Sequence, residues 1–249
     1  MSGKKTFLVG PGFIGWVVLD LLIKEKYDVT ALVRRKEHGQ ALEKHGAKVV
    51  YGQLHDHDII AENTASSDIV FHTATADDMP SVKAILDGLQ QRAKQGRTTI
   101  YIHTSGTSLL ADGAAGNFKS DKIYSDEDRS QIDSLPNEAP HRSIDLEIVR
   151  VQKELGDEAK IAIVAPPLIY GYNEWNDRLS IQIPSLTKFA IKHGFAGQVN
   201  KGLSVWSTVH VNDLGRAYMT ILVCTRLQKQ FEIATCLHIA GTHPKREFS

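Results

Sequence analysis

The sequence predicts a doubly wound α/β fold, a parallel sheet covered by helices on both faces, followed by a small C-terminal lobe. Three observations predict it. Short apolar runs alternate with helix-like segments from residue 5 to residue 106. Those runs are continuous in apolar side chains, as strands buried on both faces must be. A G-x-G-x-x-G stretch also lies at the first strand-to-helix turn.

"KTFLVG" (5–10) is an apolar run closed by glycine, a buried parallel strand. "FIGWVVLDLLIKEK" (13–26) carries Ile14, Val17, Val18, Leu21 and Leu22 at helical spacing. The β-branched "DVTALVRR" (28–35) is the second strand, and the polar helix "EHGQALEKHG" (37–46) leads to the third, "AKVVYG" (47–52). A helix near 56–64 precedes the fourth strand, "SDIVFHTAT" (67–75). "SVKAILDGLQQRAKQG" (81–96) presents Val82, Ile85, Leu86 and Leu89 on one face and stops at Gly96, before the fifth strand, "TTIYIHTSG" (98–106).

From Gly106 to Pro140 the pattern dissolves into Gly, Ser, Asp and Asn, and a stretch that long in a compact domain is usually functional. A helix from about 141 to 155 and a sixth strand, "KIAIVAPP" (160–167), complete the core. Beyond lie a helix (180–194), a strand-like "LSVWSTVHV" (203–211) and the helix "NDLGRAYMTILVCTRL" (212–227). The tail from Ala234 has too weak a periodicity to place. The expected organisation is a dinucleotide-binding core over 1–165 and a substrate lobe over 166–249, partly interleaved with the core and short for its kind.

Lys+Arg 29 balance Asp+Glu 29, which argues against nucleic acid or an anionic membrane as partner. No apolar run is long enough for a membrane span. The two cysteines, Cys224 and Cys236, lack metal-type spacing, and "MSGKKTFLVG" runs directly into a strand, so a reducing, cytoplasmic compartment is expected. The histidine-rich "HDHD" (55–58) has no further ligands in view, and no metal site is expected.

Chemistry enters at "GPGFIG". Gly10, Gly12 and Gly15, with Phe13 and Ile14 between them, permit a tight turn, close approach of a pyrophosphate and close helix–strand packing, so the loop is read as dinucleotide-binding. The second strand ends in Arg34 and Arg35, with Lys36 beyond, where an NAD enzyme tends to carry an acidic residue for the ribose hydroxyls. Two guanidinium groups suit a 2′-phosphate, so NADP is favoured over NAD.

With "DIVFHTAT", "IYIHTSGT", "PPLIYG" and "WSTVHVNDLGRAY", these residues resemble an extended or atypical short-chain dehydrogenase/reductase, the group that includes nucleotide-sugar epimerases and NmrA-like regulators. The resemblance runs to about residue 227 and is nearest to fungal epimerase-like proteins. It implies that Thr73, Ala74 and Thr75 pass beside the nicotinamide ribose, that Ser105 hydrogen-bonds the substrate oxygen, and that Pro166 to Ile169 follow the nicotinamide. Asp56 is implied, more loosely, near the adenine. Helices flanking such sheets commonly pair in this family, so a homodimer is also an expectation, with a small molecule as substrate.

The chain departs from the family pattern in three places, one being that it ends about where the substrate lobe of the extended group would continue. Val9 stands at the first position of the usual G-x-x-G-x-x-G, and none of the seven tyrosines is followed by lysine four residues on. In "EAPHRSIDLEIV" (138–149), His141 takes the tyrosine place and Asp145 the lysine place, one helical turn apart and on one face. Asp145 can accept from ribose hydroxyls but cannot replace the cation. His141 can donate a proton to a carbonyl positioned by Ser105, and His103 is a second candidate acid. Pro140 equally suits an ordinary helix start, with Arg142 as a surface or phosphate contact. Tyr170, Tyr172 and Trp175 are candidates to line a pocket.

The leading expectation is an NADP-dependent oxidoreductase or epimerase-like enzyme. The second is a non-catalytic dinucleotide sensor of NmrA type, which the missing tyrosine and lysine favour. A non-redox isomerase or cyclase is third.

Overall fold

A computed structural model describes residues 3–125 and 127–227 and the backbone of 234–235. Six parallel strands form the sheet: β1 (Lys5–Val9), β2 (Asp28–Val33), β3 (Lys48–Tyr51), β4 (Ile69–His72), β5 (Thr99–Thr104) and β6 (Ala159–Val164), in the spatial order β3-β2-β1-β4-β5-β6. The two-residue β11 (Ala234–Thr235) pairs parallel with the outer edge of β6. The predicted doubly wound class is what the chain adopts. The rest of the tail from Cys236, left unplaced above, lies outside the described residues.

Alternation along the strands sorts the core into two layers. Leu8, Phe71, Ile100, Ile102, Ala162 and Val164 point to the face covered by α1 (Phe13–Lys24), α2 (Lys36–Lys44) and α8 (Val211–Leu227). Phe7, Val9, Val70, Tyr101, Ile161 and Ile163 point to the face covered by α3 (His57–Ala65), α4 (Met79–Ala93) and α6 (Arg142–Leu155). The inner strands β1, β4 and β5 are buried on both sides, which is why the sequence reads there as continuous apolar runs, while the edge strand β3 is only partly covered.

The 106–140 stretch holds a 3-10 turn over Thr107–Leu110 and the short α5 (Arg129–Asp133), and a third apolar cluster of Leu109, Ile132, Leu135 and Ala165 fastens it to the core. After β6 the chain forms β7 (Leu168–Tyr170), the β8–β9 hairpin (Tyr172–Asn173, Arg178–Leu179), α7 (Gln182–His193) and β10 (Thr208–His210), which pairs parallel with β7. The strand expected over 203–211 is thus confined to its last part. Asn173 is buried and donates from Nδ2 to the Phe13 carbonyl (2.9 Å), pinning the hairpin against the first turn of α1. No residue of α7 is buried, and Ile181, Ile183, Leu186, Phe189 and Ile191 are exposed along it. No helix among the described residues is long and apolar enough to cross a membrane.

Helices α3 and α4 pack closely at Gly88 of α4. A Cβ there would stand 2.6 Å from the Ala61 carbonyl oxygen and 2.5 Å from Thr64 Cβ of α3. Backbone cannot yield as a side-chain tip can, so Gly88→Ala is expected to lower stability by about 1–3 kcal/mol in chemical denaturation. An unchanged midpoint would show that the two helices separate freely.

Candidate active site

Strand order reverses between β1 and β4, and in such sheets ligands sit beyond the C-terminal strand ends at that crevice. Gly10 (φ +93°) turns the chain out of β1, and a Cβ on it would lie 2.3 Å from the Ala74 nitrogen. A Cβ on Gly15 would lie 2.2 Å from the Gly10 oxygen and 2.6 Å from Thr73 Oγ1. Thr73 donates from Oγ1 to the Gly10 carbonyl (2.7 Å) and from its amide to Val9 (2.8 Å). Gly12 differs: a Cβ there would meet nothing within 4 Å, and no side chain caps the first turn of α1. Two glycines therefore serve packing, while Gly12, whose own N–H is given to the Gly10 carbonyl (2.7 Å), leaves the approach open, and the uncapped helix start offers its N–H groups to an anion.

Phe13 and Ile14 form that first turn, with Phe13's carbonyl committed to Asn173. Arg34 and Arg35 are exposed at the end of β2, and neither enters an ion pair among the described residues. Buried Trp16 donates from Nε1 to His38 Nε2 (3.0 Å), and His38 is held below the usual imidazole range by burial and by the charges of Arg35 and Arg178. Arg178, on the hairpin, thus joins the basic end of the crevice, a contribution with no signal in the local sequence. The residues present suit an anionic dinucleotide with its phosphates at the glycine turn.

The other end of the crevice is built where β4, β5 and β6 stop. Ser105 follows β5 and donates from Oγ to Asp145 Oδ2 (2.8 Å), with both residues buried. Asp145 Oδ1 has no partner, and burial pushes the carboxyl up to about 6 against the opposing pull of Ser105, His141 and Arg142. Ser105's proton is committed to a carboxylate, so its oxygen alone faces any ligand while Asp145 is ionised.

His141 caps α6 in the left-handed region (φ 66°), uncommon for a non-glycine residue. Its Nδ1 lies 2.6 Å from Asp77 Oδ1 and its Nε2 2.6 Å from Ser108 Oγ. His141 and Asp145, one turn apart, thus reach different partners. Gly106 makes room for the ring, since a Cβ there would be 3.1 Å from Nε2. Pro166 is buried beside this loop, its carbonyl accepting from the Thr107 amide (3.1 Å), and Ile169 lies in β7 opposite Val209.

Several expected roles fall elsewhere. His103 is fully buried on the α4–α6 face, its Nδ1 3.0 Å from Tyr101 Oη and 3.2 Å from His72 Nδ1, and burial holds it well below the imidazole range. His72 in turn meets Ser81 Oγ at 3.2 Å and is pushed by burial to about 4. This neutral chain belongs to the core, so His103 is no solvent-facing acid. Arg142 is no surface contact either: it is 4% exposed and donates from Nη2 to the Asp133 carbonyl (3.3 Å), tying α5 down.

Asp56 accepts from the Gln53 amide (2.8 Å), and His57 is shared between Asp58 and Asp87. Trp175 packs tilted against His45 (4.6 Å) and Tyr170 packs edge-on against His210 (5.3 Å). Tyr172, whose hydroxyl donates to Asp177, lines an open cleft of about 560 Å³ with Arg178 and Lys188.

A family model described as NAD(P)H-binding matches residues 10–151, the stretch that holds both ends of this crevice. The chain belongs to that NAD(P)H-binding family. Among curated relatives, oxidase ucsJ of an Acremonium species is 30% identical over 88% of this chain, which spans 66% of that protein's length. An uncharacterized protein of Saccharomyces cerevisiae is 25% identical over 88% of the chain and 70% of its own. Two solved structures share the fold at TM-score 0.61, each over 96% of this chain and 76% of theirs. They are the Bordetella bronchiseptica enzyme WbmH with NAD+ (18% identical) and the yeast methylglyoxal/isovaleraldehyde reductase with NADPH (17%).

The raised Asp145 carboxyl makes stability depend on pH in a defined direction. Its folded pKa of about 6 exceeds the ordinary 3.8, so the native state holds the proton more tightly than the unfolded chain. Its contribution is favourable below pH 3.8 and is lost as pH rises through 6, a change on the order of 3 kcal/mol. Asp145→Asn is therefore expected to stabilise the protein at pH 7.5 and to have little effect at pH 4, measured by thermal melts at both. Equal effects at both would mean an unperturbed carboxylate.

Proposed function

We propose that this chain is an NADP-dependent oxidoreductase, or an epimerase-like enzyme using the same hydride chemistry, acting on a carbonyl or alcohol of a small molecule without Tyr-x-x-x-Lys. The observation that carries the reading is the buried Ser105–Asp145 pair beside His141, at the strand ends next to the glycine turn. A carboxyl pushed up to about 6 can exchange a proton near neutrality, which an ordinary aspartate cannot do.

A bound nicotinamide supplies or accepts hydride at the substrate carbon. The protein's own part is to hold the substrate oxygen and move a proton at it. Protonated Asp145 donates to Ser105 Oγ, which frees the Ser105 proton for a developing alkoxide. Ionised Asp145 draws that proton back as an alcohol is oxidised. His141, oriented through Nδ1 by Asp77, supplies the second acid–base group of the site. Gly10, Gly12 and Gly15, with Thr73 and Ala74 packed behind them, form the pyrophosphate turn. Arg34 and Arg35 take the 2′-phosphate, with charge-assisted hydrogen bonds that a ribose hydroxyl cannot match.

NADPH is expected to raise the melting temperature, and to quench the fluorescence of Trp16, more than NADH at equal concentration. Arg34→Ala with Arg35→Ala should erase the difference. Equal effects in the unaltered chain would remove the case for NADP. In a carbonyl-reduction screen, His141→Ala and Asp145→Asn are each expected to lower kcat/KM by about 100-fold, the usual worth of a general acid. Tight NADPH binding with no turnover on any carbonyl or alcohol would favour the non-catalytic sensor.

A further inference from the structure

Ser108 appears in none of the roles above, yet it faces an imidazole held at both ring nitrogens. Its Oγ lies 2.6 Å from His141 Nε2, and Asp77 Oδ1 lies 2.6 Å from Nδ1 of the same ring. A carboxylate can only accept, so Asp77 holds a proton on Nδ1. In the neutral ring the Nε2 lone pair is then directed at the serine hydroxyl. The three side chains come from three separate segments: the loop after β4, the 3-10 turn after β5, and the N-cap of α6.

The surroundings suit a nucleophile. Ser108 is exposed, so an ester carbonyl can reach it, whereas Ser105 is buried with its proton given to Asp145. The Ser108 amide N–H sits at the open end of its 3-10 turn and meets no acceptor among the described residues, leaving a donor beside the hydroxyl for an oxyanion. The left-handed backbone of His141 and the missing side chain at Gly106 are both needed to seat the ring there.

We propose that Ser108, His141 and Asp77 form a serine-nucleophile triad that hydrolyses small carboxyl esters at the mouth of the crevice. Ser108 Oγ bonds to the acyl carbon as its proton passes to His141 Nε2. The bond from the acyl carbon to the leaving oxygen breaks, and that oxygen takes the proton from Nε2. Water then attacks the acyl-serine, giving its proton to Nε2. The Oγ–acyl bond breaks, and Oγ regains a proton from His141. The products are a carboxylic acid and an alcohol, with no change in oxidation state. The proposal goes beyond the nicotinamide reading and does not rest on it.

The test is p-nitrophenyl acetate hydrolysis by the full chain without nicotinamide, with peptide mapping of an acid-quenched sample and of a sample labelled by a fluorophosphonate. The expected result is release of p-nitrophenolate that falls on the order of 100-fold in Ser108→Ala and in His141→Gln, with the acetyl and phosphonyl groups on Ser108. Thermal melts of the exposed Ser108→Ala variant, with and without NADPH, keep folding and cofactor binding separate from esterolysis. Unchanged hydrolysis in Ser108→Ala, or adducts only on lysines and other residues, would overturn the triad and leave the three side chains as a tether between loops. Failure of NADPH to bind would count against the oxidoreductase reading alone.

Discussion

The architecture depends on one backbone crossing. Gly10 leaves β1 against the Thr73–Ala74 turn that leaves β4, and Gly15 brings the first turn of α1 down on the Gly10 carbonyl. Neither contact has room for a methyl group, and Thr73 closes the crossing with a hydrogen bond to the carbonyl it covers. Because the strand order reverses at this point, the crossing sets the depth of the crevice, the exposure of Gly12, and the direction in which the helix start faces. The loops after β4 and β5 then run along its far side and deliver Asp77, Ser105 and Ser108 to the start of α6.

Polarity beneath that edge is unusual for strands this deeply buried. His72, Tyr101 and His103 replace apolar side chains on the α4–α6 face, and the low dielectric keeps both imidazoles neutral. Above them, Asp145 sits with one oxygen unpartnered and its carboxyl raised, an arrangement that costs stability at neutral pH. His141 adds a left-handed backbone one turn earlier. Local rules are broken together in one place, the pattern expected where a fold gives up stability for a reactive site.

The core was legible in the sequence because burial on both faces leaves continuous apolar runs, and the glycine turn because close backbone approach admits no substitute. The opposition of Ser105 and Asp145 followed from the family resemblance only as two separate roles, and their hydrogen bond needed the fold. What periodicity could not reveal is which hydroxyl meets His141. That depends on a 3-10 turn carrying Ser108 outward and on a left-handed residue turning the imidazole away from Asp145's direction. Arg142 was misread as a surface group because its partner is a backbone carbonyl in α5, which leaves no trace in side-chain pattern. His103 was misread because a strand-end histidine looks alike whether it points at solvent or at a second histidine.

The central claim is that a nicotinamide bound at the glycine turn lies beside the Ser105–Asp145 pair and His141. A crystal structure of the NADPH complex tests it most directly, through the groups around the nicotinamide C4 atom. The account predicts Ser105 Oγ and the His141 imidazole close enough for one substrate oxygen at that carbon to hydrogen-bond both. A nicotinamide surrounded by apolar side chains alone, with His141 turned to solvent, would contradict it.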